Sequence, residues 1–291
     1  MIFLKTFAPT ELVLNAKNQV YHLGISAENL SHKIILVGDQ ERVPLVAAFF
    51  DEIEFSSNHR EFFCQTGTYK NKRISVLSTG IGTDNIDIVL NEIDAAFNID
   101  TETRTEKAQK TKLEILRIGT CGLLQKNIPI HSYILSEYAM GLDNIGHFYN
   151  INYDDNEQNL LSSIVEEDMF PAHVYPYIKK STPSFLAKFE TEHSFKGITI
   201  TSSGFYAPQG RELRIPTHTQ NLHEKLEKFN DGTHKFVNFE MESSALFALG
   251  TSLGHSCATI CLGIANRPAK TFSSNYKEHM SGLIKHALEN I

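Results

Sequence analysis

A loop in the second half of the chain, residues 203–211 (SGFYAPQGR), carries side chains that could recognise a flat polar ring. Gln209 and Arg211 are two residues apart, so an extended backbone would place an amide and a guanidinium on the same side. Together they offer paired hydrogen-bond donors and one acceptor, which suits the edge of a planar imide such as a pyrimidine. Phe205 and Tyr206, just before them, could supply a stacking face.

A second candidate follows the first apolar run, where Gly38 and Arg42 lie in the segment VGDQER. A glycine lets backbone N–H groups approach a ligand closely, and the start of a helix favours anions. Arg42 would lie on the first turn of such a helix, where it could reach a bound phosphate. An ordinary Gly-Asp turn explains the same residues, so this segment leaves both interpretations open.

The segment LEILRIGTCG places Arg117 inside an apolar strand, where a guanidinium is expensive to bury unless an anion meets it. Thr120 and the neighbouring backbone amides would lie at the carboxyl end of that strand, where ligands bind in open α/β sheets. The alternative is that Arg117 pairs with an internal carboxylate. For Cys121, no histidine stands at a diagnostic spacing, and a packing role is favoured over a nucleophilic one.

Two further segments carry charged residues that could serve the same site. Arg60, in NHREF, adds a guanidinium whose forked geometry suits phosphate, although a solvated strand end explains it equally. In NFEMESSA, Glu240 would precede a helix and Glu242 would begin it, since positions i and i+2 do not share a helix face. A carboxylate accepts from paired sugar hydroxyls and Met241 offers a soft contact, but an acid at a helix start also needs no ligand.

The composition sets the class of protein in which these residues act. The chain has 291 residues, of which 41% are apolar and 21% charged, as in ordinary globular proteins. Its net charge of −7 argues against a nucleic-acid partner. The four cysteines show no metal-binding rhythm, and no signal peptide or membrane span is evident, so we expect a soluble cytoplasmic protein with reduced thiols.

The elements that must position these residues alternate between strands and helices. Apolar, β-branched runs predict buried strands at 33–37, 73–79, 114–119, 131–136, 197–201 and 256–263. Helical patterns occur at 85–98, 242–250 and 276–290. This alternation indicates an α/β fold with a mostly parallel or mixed sheet. We expect one domain over residues 1–291, with an N-terminal extension at 1–20 and polar surface insertions near 101–112 and 151–168.

Taken together, the motifs resemble the nucleoside phosphorylase/nucleosidase superfamily, and the Gln-Gly-Arg loop resembles its uridine phosphorylase branch. The resemblance runs from about Tyr21 to the C-terminus, in the order YHLG (21–24), VGD-x-x-R (37–42), HREF (59–62), STGIG (78–82), RIGTCG (117–122), GFYAPQGR (204–211) and NFEMES (238–243). It implies a three-layer α/β/α domain whose mixed, partly barrel-like central sheet is flanked by helices.

The resemblance also implies a role for each candidate residue. Phosphate would be held by Gly38, Arg42, Arg117 and Thr120, with Arg60 reaching in from a neighbouring subunit. The ribose would be held by His22 from across a dimer interface and by Met241 and Glu242. The base would be held by Phe205, Gln209 and Arg211. The catalytic set would then be Arg211, Arg117 and Glu242, and we expect a homodimer or a hexamer of dimers with shared sites.

The implied reaction is phosphorolysis of uridine to uracil and ribose 1-phosphate, through an oxocarbenium-like transition state. It needs no metal and no organic cofactor, because inorganic phosphate is the co-substrate. Purine-cleaving relatives use an aspartate after the last core strand, where this chain reads GIANRP (263–268) without an aspartate, and this favours a pyrimidine. A purine nucleoside phosphorylase or a nucleosidase on the same scaffold is the alternative, and a non-catalytic nucleoside-binding protein is a more remote one.

Overall fold

The computed structural model describes residues 5–291, so part of the expected 1–20 extension, residues 1–4, lies outside the described residues. The strands are β1 (Lys33–Val37), β2 (Glu52–His59), β3 (Phe62–Tyr69), β4 (Lys72–Ser78), β5 (Ile99–Asp100), β6 (Thr105–Glu106), β7 (Glu114–Leu123), β8 (Tyr133–Gly141), β9 (Tyr177–Lys180), β10 (Ser194–Thr201), β11 (Phe236–Glu240), β12 (Ser256–Asn266) and β13 (Thr271–Phe272). The α-helices are α1 (Arg42–Ala47), α2 (Thr83–Asn98), α3 (Asp155–Glu166), α4 (Pro183–Leu186), α5 (Leu222–Lys228), α6 (Ser243–Ser252) and α7 (Tyr276–Asn290).

The main sheet is mixed and partly closes on itself. Its strands follow the order β13-β12-β8-β10-β11-β7-β1-β4-β3-β2, with β9 beside β8. The long strand β12 also pairs with β7, in parallel, so that β7, β12, β8, β10 and β11 form a closed ring. Strands β1, β4, β3 and β2 extend from β7 as an open sheet, in which β1 pairs in parallel with both β7 and β4, while β5 and β6 form a separate pair. The expected partly barrel-like sheet is therefore confirmed.

Helices cover both faces of the open part of the sheet, because alternate residues of each strand point to opposite faces. Ile34 and Leu36 of β1 pack in one cluster with the apolar faces of α2 and α6. Ile35 and Val37 pack in another cluster with α1, α4 and α7. This arrangement gives the three layers expected for the fold. No helix among residues 5–291 is long and apolar enough to cross a membrane.

The predicted elements correspond closely to the observed ones where the apolar pattern is strong. Helix α2 buries Ile86, Val89, Leu90 and Ile93 on its predicted face. Strand β8 begins at Tyr133, later than predicted, because His131 adopts a left-handed turn conformation with φ of 70°. Strands β7 and β12 run past their predicted ends by several residues. Their continued pairing carries the sheet past both predicted ends, to Leu123 and Asn266.

The two stretches expected to be polar insertions differ in structure. Residues 151–168 contain helix α3, which is capped by Asp154 and packs Leu160 and Ile164 into a core cluster. Its polarity reflects one solvent-facing side of an amphipathic helix. Residues 101–112 form a largely exposed turn whose Arg104 side chain donates to the backbone carbonyls of Phe7 and Leu12. This turn therefore holds the N-terminal segment against the domain.

Tyr177 of β9 is buried in a slot that only glycine permits. Its hydroxyl donates to Asp143 Oδ1 at 2.8 Å and lies 3.0 Å from Ser244 Oγ. A Cβ added at Gly146 would lie 2.7 Å from the ring. Since the hydrogen bond to Asp143 pins the ring at its far end, the ring has little freedom to move aside.

We expect Gly146→Ala to lower the free energy of unfolding by about 1–3 kcal/mol, since overpacking a buried ring is strained. Gly282→Ala on α7 is the control, because its added Cβ would meet only the Tyr133 hydroxyl, at 3.3 Å. This second change should leave stability unchanged or raise it by up to about 1 kcal/mol through helix propensity. Urea unfolding of both variants measures the difference. Equal stabilities would show that the slot can relax.

Candidate active site

A cavity of about 770 Å³ opens where several strands of the sheet reach their carboxyl ends. Ligands of α/β proteins bind at this edge because loops and helix starts converge there. Of the residues predicted from the sequence, the cavity is lined by Gly38, Arg42, Arg117, Thr120, Phe205, Gln209, Arg211, Met241 and Glu242. Residues from widely separated motifs thus meet in one site.

At the centre of the site, one guanidinium is shared by two buried carboxylates. Arg117 Nη2 contacts Glu242 Oε2, and Arg117 Nη1 lies 3.2 Å from Glu240 Oε2. All three side chains are buried, and all three line the cavity. The internal pairing that the sequence left open for Arg117 is therefore observed, and Arg117 also lines the cavity, while its binding of an anion stays a prediction.

Glu240 is the site residue that the sequence did not single out for a role. Its carboxylate accepts from Thr201 Oγ1 at 2.5 Å, from Ser243 Oγ at 2.9 Å and from the backbone N–H groups of Glu242 and Ser243 at 3.0 Å. It therefore caps the start of α6, where free N–H groups favour an acid. The spacing Glu-x-Glu-Ser-Ser before an apolar helix was the available signal.

The shared charge shifts the pKa values of this cluster. Burial by itself would lower the pKa of Arg117, but the attraction of Glu242 and Glu240 outweighs it and raises that pKa. For Glu242, burial raises the pKa, Arg117 opposes that effect, and Glu240 adds to it. Burial, together with the repulsion from Arg117, lowers the pKa of Arg42. Because Glu240 and Glu242 share one guanidinium, its charge does not fully offset the cost of burial, and the ionisation of Glu242 is unfavourable.

The end of the cavity near β1 is built from glycine-rich backbone. An added Cβ at Gly38 would meet the carbonyl of Gly80 at 3.4 Å, so the two turns approach closely. Gly82, at φ of 101°, donates its N–H to Glu242 Oε1 at 2.8 Å. Arg42, the first residue of α1, donates to the Ile118 carbonyl at 3.3 Å. Arg42 has no carboxylate partner within 4.0 Å among residues 5–291, which leaves its charge available to an anion.

The predicted base-recognition turn, residues 205–211, has a different shape from the one expected. The extended backbone predicted for Gln209 and Arg211 is wrong, because Ala207–Gln209 form a 3-10 turn and Gly210 is left-handed, with φ of 67°. The two side chains still meet, with Arg211 Nη1 donating to Gln209 Oε1 at 2.5 Å. The guanidinium also lies over the Phe205 ring, 3.7 Å from its centroid. The turn therefore presents a pre-formed amide–guanidinium pair.

The end of β12 supports this turn and supplies no acid. Asn266 is buried, and its amide donates to the Gln125 and Ile128 carbonyls at 3.0 and 2.8 Å. Arg267 donates to the carbonyls of Gln209 and Gly210 at 3.3 and 3.4 Å. Burial and the charge of Arg211 lower the pKa of Arg267 to about 10. This end of the cavity is thus cationic and lacks a carboxylic acid at position 266.

His22 and Arg60 do not line this cavity. His22 Nδ1 lies 2.6 Å from Glu92 Oε1, beside helix α2. Arg60 occupies the turn between β2 and β3, with φ of 58°, and its guanidinium lies 5.7 Å from the Tyr21 ring centroid. Their expected roles at a neighbouring subunit's site remain predictions.

The chain is similar to known proteins over most of its length. The family model of the phosphorylase superfamily matches residues 32–289. Uridine phosphorylase from Thermococcus kodakarensis is 26% identical over 273 residues, which cover 92% of this chain and 85% of that protein. A DeoD-type purine nucleoside phosphorylase from Oceanobacillus iheyensis is 25% identical over 240 residues, with 82% and 84% covered. Among solved structures, a Trypanosoma brucei nucleoside phosphorylase that shows uridine phosphorylase activity aligns with a TM-score of 0.86 and 27% identity, covering 96% of this chain and all of that one.

The raised pKa of Glu242 gives a stability prediction with a definite sign. Since the folded-state pKa of Glu242 lies above the unfolded value of 4.5, its contribution to stability is fully present below pH 4.5 and is lost as the pH rises through the folded-state pKa. Glu242→Gln has no such titration. Its stability relative to the parent protein should therefore be more favourable at about pH 8 than at about pH 5.

Urea unfolding of the parent protein and the Glu242→Gln variant at both pH values tests this prediction. Glu102→Gln, at an exposed position without an ion pair among residues 5–291, is the control and should show no pH-dependent difference. If the stability of Glu242→Gln relative to the parent protein falls as the pH rises, Arg117 must lower the pKa of Glu242 on balance.

Proposed function

Since the chain belongs to the phosphorylase superfamily, we propose that it is a pentosyltransferase of the uridine phosphorylase type. The reaction would transfer the ribosyl group of uridine to inorganic phosphate and release uracil and ribose 1-phosphate. The observation that carries this proposal is the pairing of the Gln209 amide with the Arg211 guanidinium at one end of the cavity. That pair matches the alternating acceptors and donor of the uracil edge.

The opposite end of the cavity suits phosphate. Arg42 supplies a guanidinium that has no carboxylate partner among residues 5–291, and Gly38 and Thr120 add backbone and hydroxyl groups. Guanidinium geometry matches phosphate oxygens well. We propose that Arg117, whose charge the two glutamates largely balance, fixes the position of the phosphate more than it adds net charge. A second free guanidinium would then have to come from outside this chain's own pocket.

The ribose would lie between these two ends, against Met241 and Glu242. Glu242 Oε2 contacts Arg117 and its Oε1 accepts from Gly82 N–H, so the carboxylate is held in one orientation. Carboxylate oxygens have further lone pairs, and these can accept from sugar hydroxyls. Glu242 would thus set the sugar between the phosphate and the base.

The chemistry follows from this order of groups. The bond between C1′ and N1 of the nucleoside breaks, and a phosphate oxygen forms a bond to C1′ through an oxocarbenium-like transition state. The bond's electron pair leaves with uracil, and Arg211 stabilises the developing anion before solvent protonates it. The arginines at the other end hold the nucleophile in line with C1′. No redox step occurs, and we propose that phosphate is a co-substrate with no cofactor.

A purine nucleoside is the competing substrate, because DeoD-type purine nucleoside phosphorylases match this chain at 25% identity. The tract 263–268, where purine-cleaving relatives carry their acid, has no aspartate, and the amide of its Asn266 is bonded to backbone carbonyls. No acid in this tract could protonate a departing purine, and this favours uridine as the substrate.

We also propose that the protein acts in pyrimidine salvage in the cytoplasm, as a homodimer or hexamer of dimers with shared sites. All four cysteines are free and buried, which suits a reducing compartment. Arg60 and His22 lie outside their own chain's cavity, as residues that serve a partner's site would.

Incubation with uridine, inosine and adenosine, each with and without phosphate, tests the reaction. We expect uracil and ribose 1-phosphate to form only when uridine and phosphate are both present. Uracil release without phosphate would indicate a nucleosidase, and faster cleavage of inosine would indicate a purine enzyme. Tight uridine binding without any turnover would indicate a binding protein.

Arg211→Ala should lower kcat/KM for uridine by about a hundredfold or more, because it removes the charge that stabilises the leaving uracil. The KM for phosphate should change by less than about twofold, since Arg211 lies at the other end of the cavity. Arg214→Ala, an exposed arginine three residues away, is the matched control and should keep parental rates. An equal rise in the KM for uridine and in the KM for phosphate would argue against a base-binding role.

Mixing Arg60→Ala subunits with Gln209→Ala subunits tests whether sites are shared. Each mixed dimer would regain one complete site, because the intact Arg60 faces the intact Gln209 across a two-fold interface. Random mixing makes half of the dimers mixed, so about a quarter of parental activity should return. Mixed dimers confirmed by mass spectrometry that stay inactive would argue that Arg60 serves its own chain or none.

A further inference from the structure

His223 of helix α5 packs directly beneath the base-recognition turn. An added Cβ at Gly210, the left-handed glycine of that turn, would lie 2.9 Å from His223 Nε2. Arg267 Nη2 contacts the same nitrogen. On its other side, the imidazole meets the ring of Phe239, which lines the cavity, with centroids 6.0 Å apart. His223 therefore touches the turn, its supporting arginine and a wall of the site.

The contact with Arg267 fixes the protonation of this imidazole. A guanidinium has only donors, so Nε2 must be unprotonated to accept from it. The proton then lies on Nδ1, which is buried without a hydrogen-bond partner among residues 5–291. Burial and the charge of Arg267 lower the pKa of His223 to about 4. His223 thus stays neutral while leaving one polar atom unsatisfied, which is unfavourable for a residue with a purely structural role.

Arg267 transmits this contact to the groups that face the base. Its two donors to the Gln209 and Gly210 carbonyls are long, at 3.3 and 3.4 Å, so they hold its position weakly. His223 Nε2 accepts from the same guanidinium and therefore restrains it from a third direction. With Arg267 fixed, the backbone between Gln209 and Arg211 is fixed as well.

We propose that His223 is a positioning residue for base recognition, acting as a neutral acceptor that orients Arg267 and thereby the Gln209–Arg211 pair. This inference rests on the proposed uridine phosphorolysis. It assigns His223 an effect on nucleoside binding and none on phosphate binding, because Arg42 and Gly38 lie at the other end of the cavity.

Three variants separate this role from simple packing. His223→Leu keeps a similar side-chain volume but removes the hydrogen-bond acceptor, whereas His223→Gln keeps an acceptor. His218→Leu, at an exposed position in the segment before α5, is the control. We expect His223→Leu to raise the KM for uridine by about tenfold or more, which is the usual effect of losing a hydrogen bond to a charged group. His223→Gln should recover most of this loss, and the KM for phosphate should change little in all three variants.

An unchanged KM for uridine in His223→Leu, equal rises in both KM values, or no recovery in His223→Gln would each overturn the proposal. If the leucine variant does not fold, His223→Phe provides the apolar replacement. A parent protein that releases no uracil would refute the proposed function without bearing on the contact itself. For that contact, the ¹⁵N shifts of the parent protein's His223 at neutral pH give a separate readout: an unprotonated Nε2 is expected, and a protonated Nε2 would overturn the proposal.

Discussion

The sharing of one buried guanidinium by two buried carboxylates is the constraint around which the site is built. Arg117 belongs to β7, Glu240 ends β11, and Glu242 stands at the first turn of α6, so the cluster joins three elements. Removing any one charge would leave the others without compensation in a medium where isolated charges are unfavourable. The position of the Glu242 carboxylate is therefore set by the same contacts that join the sheet to its helix.

This cluster also explains the division of the cavity into two ends with different chemistry. The glutamates neutralise the centre, while Arg42 at one end and Arg211 with Arg267 at the other keep their positive charge. In the proposed reaction, this division would hold the attacking phosphate and the departing uracil on opposite sides of the sugar. The unfavourable ionisation of Glu242 is consistent with a group kept for function in spite of its effect on stability.

The sequence predicted the site better than it predicted the contacts within it. Strand ends, glycines and motif order placed nine residues at one cavity, because the carboxyl ends of parallel strands must converge. The pairing of Arg117 with Glu240 and Glu242 was only one of two open interpretations, since residues more than 120 positions apart meet only after folding. The turn at Gln209 folds more tightly than predicted because left-handed Gly210 redirects the chain. His223 carries no motif, and its contact with Arg267 arises from packing alone. The destinations of Arg60 and His22 depend on a second copy of the chain.

The hydrogen bonds between Arg104 and the N-terminal segment couple two parts of the chain that are far apart in the sequence. Because Arg104 of the turn at residues 101–112 donates to the backbone carbonyls of Phe7 and Leu12, the turn and the N-terminal segment stabilise each other in addition to their own contacts with the domain. The acceptors are backbone carbonyls, so this contact depends on the Arg104 side chain and on the path of the N-terminal backbone, while Leu12 is held in place by packing in the core. In evolutionary terms, we expect the turn and the extension to have been acquired as a unit, and relatives that lack one to lack the other.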